Sequence, residues 1–299
     1  MRLALEPIAY YWPREAVLAF YRAVAGSAVD IVYLGESVCS RRHEMRLPDW
    51  LDLAGELAAA GKEVLLSTQA LIESESDLRM LRRIAGNGRF AVEANDMGAV
   101  ALLEGKGAFV AGAPLNVYNP GTLALLCALG ARRWVAPAEM PRSELEAMMQ
   151  SRPAGVETEV LVYGRLPLAL SARCFTARRY NLQKDDCQFR CLDHPEGLAL
   201  RTLEGEPFLV LNGIQTLSAK ILNLARELPE MARLGVAVAR MSPQAAHTTE
   251  IAALLKLALR GPDDAPEIAA QLDRLAAGNT CNGYWHGAAG FERASALPH

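Results

Sequence analysis

Short β-branched segments alternate with helix-length spacers along most of this 299-residue chain, and that alternation limits the fold more than any other feature. The segments form continuous apolar runs, such as IVYLG at 31–35 and GVAVARM at 235–241. Such runs are typical of parallel strands buried on both faces. Eight strands are predicted, at Leu3–Glu6, Asp30–Gly35, Glu63–Thr68, Phe90–Glu93, Ala108–Ala111, Arg133–Ala136, Glu159–Gly164 and Gly235–Arg240. Spacers of about 10 to 15 residues separate most of them, which is the length of a crossover helix.

Proline and small polar residues mark the starts of several helices in these spacers. They predict helices at 14–25, 49–60, 97–104 and 244–260. Eight strands joined by such helices predict an α/β fold, a closed (β/α)8 TIM-like barrel. An open doubly wound sheet is the alternative, but no G-x-G-x-x-G motif follows the first strand to favour a dinucleotide-binding fold.

The alternation fails once, between the seventh and eighth strands. We therefore predict a single barrel domain over residues 1–299, with a cysteine-bearing insertion at 165–234 within it. A connection this long inside one domain is usually functional. Its sequence predicts two strands and a helix, at Leu198–Thr202, at Phe208–Leu211 and from Leu217 onward.

Three of the six cysteines, Cys174, Cys187 and Cys191, lie in this insertion with the spacing C-x12-C-x3-C. Their neighbours are polar and charged, so a core role fits them poorly. Cys39 directly follows the second strand, and Cys174 follows the seventh. In a barrel both loops open at the carboxyl end of the strands, so the topology brings Cys39 to the other three.

Four thiolates can bind zinc or an iron–sulfur cluster. Structural zinc usually takes two close cysteine pairs, whereas only Cys187 and Cys191 are close here, which favours a cluster. Reduced thiols without metal remain the third reading. Cys127, among apolar helix residues, is interpreted as a small buried hydrophobe, and Cys281 has no assigned role beyond structure.

Composition narrows the partners and the compartment. The net charge of −3 gives no reason to expect nucleic acid as a ligand. The longest smooth apolar run, Leu123–Ala131, is far shorter than the roughly 20 residues of a membrane-spanning helix. The amino terminus resembles a first strand rather than a signal peptide. We therefore expect a cytoplasmic protein, in which clustered cysteines more often bind metal than form disulfides.

Polar residues stand at several strand ends, where a barrel builds its binding pocket. They are Glu6, Glu36, Glu93, Asn116, Glu139 and Arg240. They could bind an acidic molecule that donates an oxygen atom, or a phenolic ring, or they could serve only as ion pairs at the rim. Arg240 is the one we expect to contact either a carboxylate or the cluster, because a guanidinium can donate two parallel hydrogen bonds to a carboxylate. His194 near Cys191 is interpreted as a solvated loop residue, and the catalytic residues are unknown.

The segment EVLVYGRLPLALSARCFTAR at 159–178 resembles the signature of the U32 peptidase-like family. That signature is E-x-φ-x-x-G followed by two cysteines seven residues apart. The matching positions are Glu159, Leu161, Gly164 and Cys174. Pro167 replaces the first signature cysteine, and Ala172 replaces a glycine. One branch of the family, which serves ubiquinone biosynthesis, is similar in four features. These are the loss of the first signature cysteine, the presence of a cysteine at position 39, the C-x12-C-x3-C spacing, and the stretch at Leu217–Lys220.

This resemblance implies a 4Fe–4S cluster on Cys39, Cys174, Cys187 and Cys191. It also implies a heterodimer with a homologous partner from the same family, and oxygen-independent hydroxylation of a prenylated phenol under anaerobic conditions. RNA-hydroxylating relatives are thought to take the oxygen atom from prephenate, so a donor of that kind is expected here. A lipid-binding accessory protein is a reasonable further partner for so apolar a substrate.

Two other functions stay open at this point. The first is a zinc-stabilised, non-catalytic partner subunit. The second is a U32-type protease or an RNA-hydroxylation protein. The sequence offers no Ser/His/Asp arrangement and no basic excess, which counts against both forms of the second.

Overall fold

Eight parallel strands close into a barrel in the computed structural model, which describes residues 1–294. The described residues form twelve strands, of which β1 to β7 and β11 make the barrel: β1 (Arg2–Leu5), β2 (Ile31–Leu34), β3 (Glu63–Ser67), β4 (Ala91–Ala94), β5 (Phe109–Ala111), β6 (Ala131–Val135), β7 (Glu157–Leu170), β8 (Leu198–Arg201), β9 (Pro207–Asn212), β10 (Gln215–Asn223), β11 (Val238–Met241) and β12 (Thr280–Cys281). Strands β1 to β7 pair in sequence order, and β11 closes the ring by pairing in parallel with both β1 and β7. The predicted α/β barrel is confirmed.

Helices connect the barrel strands and cover the outside of the barrel. They are α1 (Arg14–Ala25), α2 (Leu47–Ala59), α3 (Glu75–Ala85), α4 (Met97–Leu103), α5 (Pro120–Ala128), α6 (Arg142–Ser151), α7 (Phe175–Arg179), α8 (Leu228–Leu234), α9 (Thr248–Arg260) and α10 (Ala265–Leu275). The helix predicted from residue 244 begins at Thr248 instead, because His247 adopts a left-handed backbone with φ 62°. Within residues 1–294, no helix is both long and apolar enough to cross a bilayer.

Local capping explains where α3 begins. The Ser74 hydroxyl accepts a hydrogen bond from the backbone N–H of Asp77 at 3.3 Å, and the Asp77 carboxylate accepts one from the N–H of Ser74 at 3.0 Å. This reciprocal pair satisfies two N–H groups that have no partner inside the helix. The helix then turns Leu81, 2% exposed, into the core between helices and barrel.

The insertion builds a second, antiparallel layer on the barrel. Strand β7 is 14 residues long and continues beyond the barrel to Leu170, where β10 pairs with it and β9 and β8 follow. The two strands predicted in the insertion are present as β8 and β9. The helix predicted from Leu217 is wrong: that stretch forms β10. Pairing with β7 on one side and β9 on the other outweighs its helix propensity.

Gly164 marks the point where β7 leaves the barrel. Its φ of +138° is strained for any residue with a side chain, and a Cβ there would overlap the Ser242 side chain after β11. Only glycine therefore lets β7 and the end of β11 approach this closely. The same approach brings the Ser242 hydroxyl to the Glu6 carboxylate at the carboxyl end of the barrel.

Candidate functional site

Four cysteines line one small pocket beside the barrel mouth: Cys39, Cys174, Cys187 and Cys191. Cys39 lies in the loop after β2. Cys174 is the residue before α7, and its sulfur accepts the backbone N–H of Ala177 at 3.3 Å. Cys187 directly follows a 3-10 turn at Lys184–Asp186, and Cys191 lies in the next one, at Arg190–Asp193. All four are half-buried free thiols.

The two other cysteines lie away from this pocket. Cys127 is on α5 and packs against the main core, while Cys281 is buried in β12. Across residues 1–294, no three His, Cys, Asp or Glu side chains are grouped closely enough to hold a single metal ion. The four thiols therefore surround the pocket rather than converge on one point, and their role as ligands stays a prediction.

Arginine and lysine side chains share the pocket with the thiols: Arg41, Arg42, Lys184 and Arg190. Burial raises the pKa of the Cys39 thiol to about 11 and also raises the pKa of Cys191, while the charge of Arg42 acts on both in the opposite direction. Without a ligand the two thiols therefore hold their protons at neutral pH. Metal binding would release those protons.

Three of these arginines carry a buried Nε–H that lacks a hydrogen-bond partner within the described residues: Arg41, Arg42 and Arg190. Unpaired buried donors are uncommon and call for an acceptor. A 4Fe–4S cluster on four thiolates is an anion with sulfur acceptors on its surface, and hydrogen bonds to sulfur together with local charge tune its potential. The donor set of this pocket therefore fits such a cluster.

A larger cavity of about 430 Å³ opens at the carboxyl end of the barrel strands. This volume lies in the range of small-molecule sites. Five of the six predicted polar residues line it: Glu6, Glu93, Asn116, Glu139 and Arg240. Glu36 does not. Its carboxylate instead accepts the backbone N–H groups of Val38 and Cys39, each at 3.0 Å, beside the thiol pocket.

Arg240 lies on the floor of this barrel mouth and binds carboxylates of the protein itself. Its guanidinium is 2.9 Å from Glu93, 3.0 Å from Glu159 and 3.2 Å from Glu6. It also lies over the ring of Tyr33, 4.3 Å from the ring centre. Arg240 is only 7% exposed, so these contacts are protected from solvent.

The charged network continues through the barrel toward the amino end of the strands. The Tyr33 hydroxyl donates to Glu159 at 2.6 Å and accepts from Arg133 at 3.1 Å. Arg133 in turn pairs with Glu63 and Glu157, each at 2.8 Å. The sequence analysis did not single out Tyr33 or Arg133. The available signal was a charged or hydroxyl residue inside an otherwise apolar strand.

His194 lies outside the thiol pocket. Its Nε2 forms a hydrogen bond of 2.6 Å with the hydroxyl of Tyr180, which is itself exposed.

The model of peptidase family U32 matches residues 18–294, nearly the whole chain. The chain belongs to peptidase family U32. Among solved structures, the U32 peptidase Mk0906 is similar with 13% identity and a TM-score of 0.46, over 82% of this chain and 93% of the other. Tryptophan synthase from M. tuberculosis is similar with 13% identity and a TM-score of 0.43, over 94% and 92% of the two chains. A C-terminal domain of a putative chitinase from Desulfitobacterium hafniense gives 11% identity and a TM-score of 0.44, over 87% and 99%.

The signature positions of the U32 resemblance have distinct physical roles in this U32 protein. Glu159 is fully buried in the charged network of the barrel, and Gly164 permits the close approach of β7 to Ser242. Cys174 reaches the thiol pocket. One strand, β7, thus links the centre of the barrel to the insertion, and the signature follows that strand.

Proposed function

We propose that this U32 protein is an iron–sulfur subunit of an oxygen-independent hydroxylase in ubiquinone biosynthesis, similar to UbiV. The observation that supports this most is the pocket that collects Cys39 and the three insertion cysteines together with unpartnered arginine donors. A 4Fe–4S cluster is proposed on Cys39, Cys174, Cys187 and Cys191. The protein would be cytoplasmic and would act under anaerobic conditions.

With four cysteine ligands, the cluster would supply one-electron transfer rather than an open coordination site for Lewis-acid chemistry. The protein's own residues have three tasks in this proposal. The four thiols lose their protons and hold the metal. The pocket arginines offset the negative charge and donate to sulfur. The barrel mouth holds the aromatic ring close by.

The thiol pocket and the barrel mouth share a loop. Ser37 and Val38 line the mouth, and the next residue, Cys39, lines the thiol pocket. At the floor of the mouth, Glu6 and Glu93 can accept the hydrogen bond of a phenol or hold a proton during ring hydroxylation. Apolar residues of the same cavity, such as Leu161 and Leu217, suit the face of the ring.

The partners are proposed from the family resemblance. A homologous UbiU-like protein would form a heterodimer with this chain, and a lipid-binding accessory protein would deliver the prenylated phenol. The oxygen atom of the new hydroxyl would come from an organic donor of the prephenate kind rather than from O2, and that donor would be reduced as the ring is oxidised.

Metal analysis of protein purified without oxygen tests the cluster. The experiment compares wild type, Cys39→Ser and Cys127→Ser by iron, sulfide and zinc content and by the visible spectrum. We expect about four irons and four sulfides per chain in wild type and in Cys127→Ser, with a broad absorbance that Cys39→Ser loses. Zinc alone would favour the zinc-stabilised subunit instead, and a cluster indifferent to Cys39 would contradict the ligand assignment.

A second measurement tests the pathway. Ubiquinone is quantified in cells that lack this chain, grown with and without oxygen, and after complementation with wild type or Cys39→Ser. We expect a ubiquinone deficiency confined to anaerobic growth and rescued only by wild type. Normal anaerobic ubiquinone would contradict the proposal.

A further inference from the structure

Arg42 is the most buried cation beside the four thiols. It is 4% exposed, whereas the side chain of its neighbour Arg41 is 37% exposed and pairs with the solvent-exposed Asp185. Lys184 pairs with Glu73 at the surface. Charges near solvent are screened within about 10 Å, but a buried charge acts on its surroundings with much less screening.

The two ends of the Arg42 fork are fixed by neutral acceptors. Nη1 donates to the carbonyl of Ala9 at 2.7 Å, and Nη2 donates to Oδ1 of Asn212 at 2.8 Å. Asn212 also donates its own amide hydrogen to Ala9 at 2.7 Å. Arg42 therefore joins the loop after β1, which lines the barrel mouth, to strand β9 of the insertion.

Four ionisable groups face the Arg42 guanidinium. Glu36 is 3.5 Å away, the ring of Tyr11 lies 5.4 Å from it, and the thiols of Cys39 and Cys191 feel its charge. The Nε–H of Arg42 is buried and without a partner in the described structure, and the Cys191 thiol acts on the guanidinium by hydrogen bonding as well as by charge. One carboxylate at 3.5 Å and one orphan donor leave Arg42 with capacity for a further anion on the thiol side.

We propose that Arg42 is a positioning residue for the cluster: it supplies the buried positive charge that the thiolate-bound cluster requires and fixes that cluster against the barrel mouth. This rests on the proposed function. Each electron added to the cluster increases its negative charge by one, so a fixed neighbouring cation favours the reduced state and raises the reduction potential. The rigid fork to Ala9 and Asn212 holds the cation in place.

The test uses the full chain, loaded without oxygen with ferrous iron and sulfide. Wild type is compared with Arg42→Gln, Arg42→Lys, Asn212→Ala and Arg41→Gln, and the control is Arg179→Gln, which replaces an exposed arginine of α7 outside the thiol pocket. Three quantities are measured: iron per chain, the midpoint potential from a redox titration followed by visible absorbance, and the rate of iron loss to a chelator. Circular dichroism and gel filtration establish that each variant is folded.

Arg42→Gln is expected to lower the midpoint potential and to lose iron several-fold faster than wild type. Arg42→Lys should have a midpoint potential close to that of wild type, since it keeps the positive charge. It should still lose iron faster, because an ammonium group cannot form the same paired hydrogen bonds to Ala9 and Asn212. Arg41→Gln should shift the potential less than Arg42→Gln does, because the partly exposed Arg41 charge is screened by solvent. Arg179→Gln should match wild type in both quantities. Asn212→Ala should shift the potential less than Arg42→Gln does, because the charge remains.

Several results would overturn the inference. They are an unchanged potential in Arg42→Gln, an equal drop in Arg42→Lys, or a shift in Asn212→Ala as large as that in Arg42→Gln. If Arg42→Gln does not fold, Arg42→Lys is compared with wild type directly: a potential near the wild-type value with faster iron loss supports the inference, and iron loss as slow as in wild type overturns it. Failure of the wild-type protein to take up iron and sulfide would instead reject the proposed function, and this inference with it.

Discussion

Replacing Arg240 by methionine is expected to destabilise the barrel by about 3–5 kcal/mol near neutral pH, the range found when one partner of a buried ion pair is removed. The structure shows that Arg240 belongs to the buried pairs to which this range applies. The Arg240 guanidinium lies within 3.0 Å of both Glu93 and Glu159, whose side chains are 2% and 0% exposed. Methionine keeps the apolar volume over Tyr33 but leaves two buried carboxylates without this cation.

The loss should depend on pH in a defined direction. Burial raises the folded-state pKa of Glu159, and the charge of Arg240 lowers it against that effect. A carboxyl whose folded pKa exceeds its unfolded value binds more protons in the folded state, so its contribution to stability falls as pH rises between those two values. Removing Arg240 raises the folded pKa further and extends this window upward. The deficit should therefore be smaller at about pH 5 than at about pH 8.

Thermal and urea unfolding followed by circular dichroism at both pH values measure this effect. A loss of this size should lower the melting temperature by roughly 10 °C for a domain of this length. Adding Glu159→Gln to the Arg240→Met variant should restore part of the stability, because one uncompensated charge disappears.

The matched control is Arg82→Met, since Arg82 pairs with Glu75 at 2.9 Å but with both side chains more than half exposed. It should cost less than about 1 kcal/mol. A deficit under about 1 kcal/mol for Arg240→Met, or one that does not change with pH, would refute the argument.

Three further predictions concern single contacts. Ser74→Ala should destabilise the protein by about 1 kcal/mol in urea unfolding, because α3 loses its N-cap; an unchanged midpoint would contradict the capping role. Gly164→Ala should lower the melting temperature and weaken binding of a phenol at the barrel mouth, because a φ of +138° is strained for alanine and the new Cβ would overlap the Ser242 side chain; a melting temperature equal to that of wild type would show that the strands can separate at no cost. Burial raises the pKa of Tyr118 to about 12, and Glu139 raises it as well, so Glu139→Gln should lower that pKa in an ultraviolet pH titration; a pKa unchanged from wild type would argue against the pair.

The barrel strands could be predicted because each is an apolar run with a strong buried signal. Strands β2 and β11 illustrate this, since every residue of both is buried. The convergence of Cys39 with the insertion followed from topology, because parallel strands present their carboxyl ends on one face. Strand β10 could not be predicted in the same way. Its partner is the far end of β7, and the local sequence around Leu217 contains no signal that predicts this pairing.

Arg42 shows a second limit of sequence reasoning. It stands in the polar run SRRHE beside Arg41, and composition does not distinguish the two. Only the three-dimensional structure shows that Arg42 is buried while Arg41 is partly exposed. Glu36 behaves similarly: its position at a strand end suggested the barrel mouth, but the nearby backbone N–H groups and Arg42 hold it beside the thiols.

The wide separation of the four cysteines along the chain has a consequence for biosynthesis. A ribosome that has translated residues 1–150 has released Cys39 but none of the other three thiols of the pocket. Gly213, which also lines that pocket, emerges later still, and β11 closes the barrel after it. The pocket is therefore completed only after the insertion and β11 have been translated. A metal delivered before that point would meet thiols that the fold does not yet hold together.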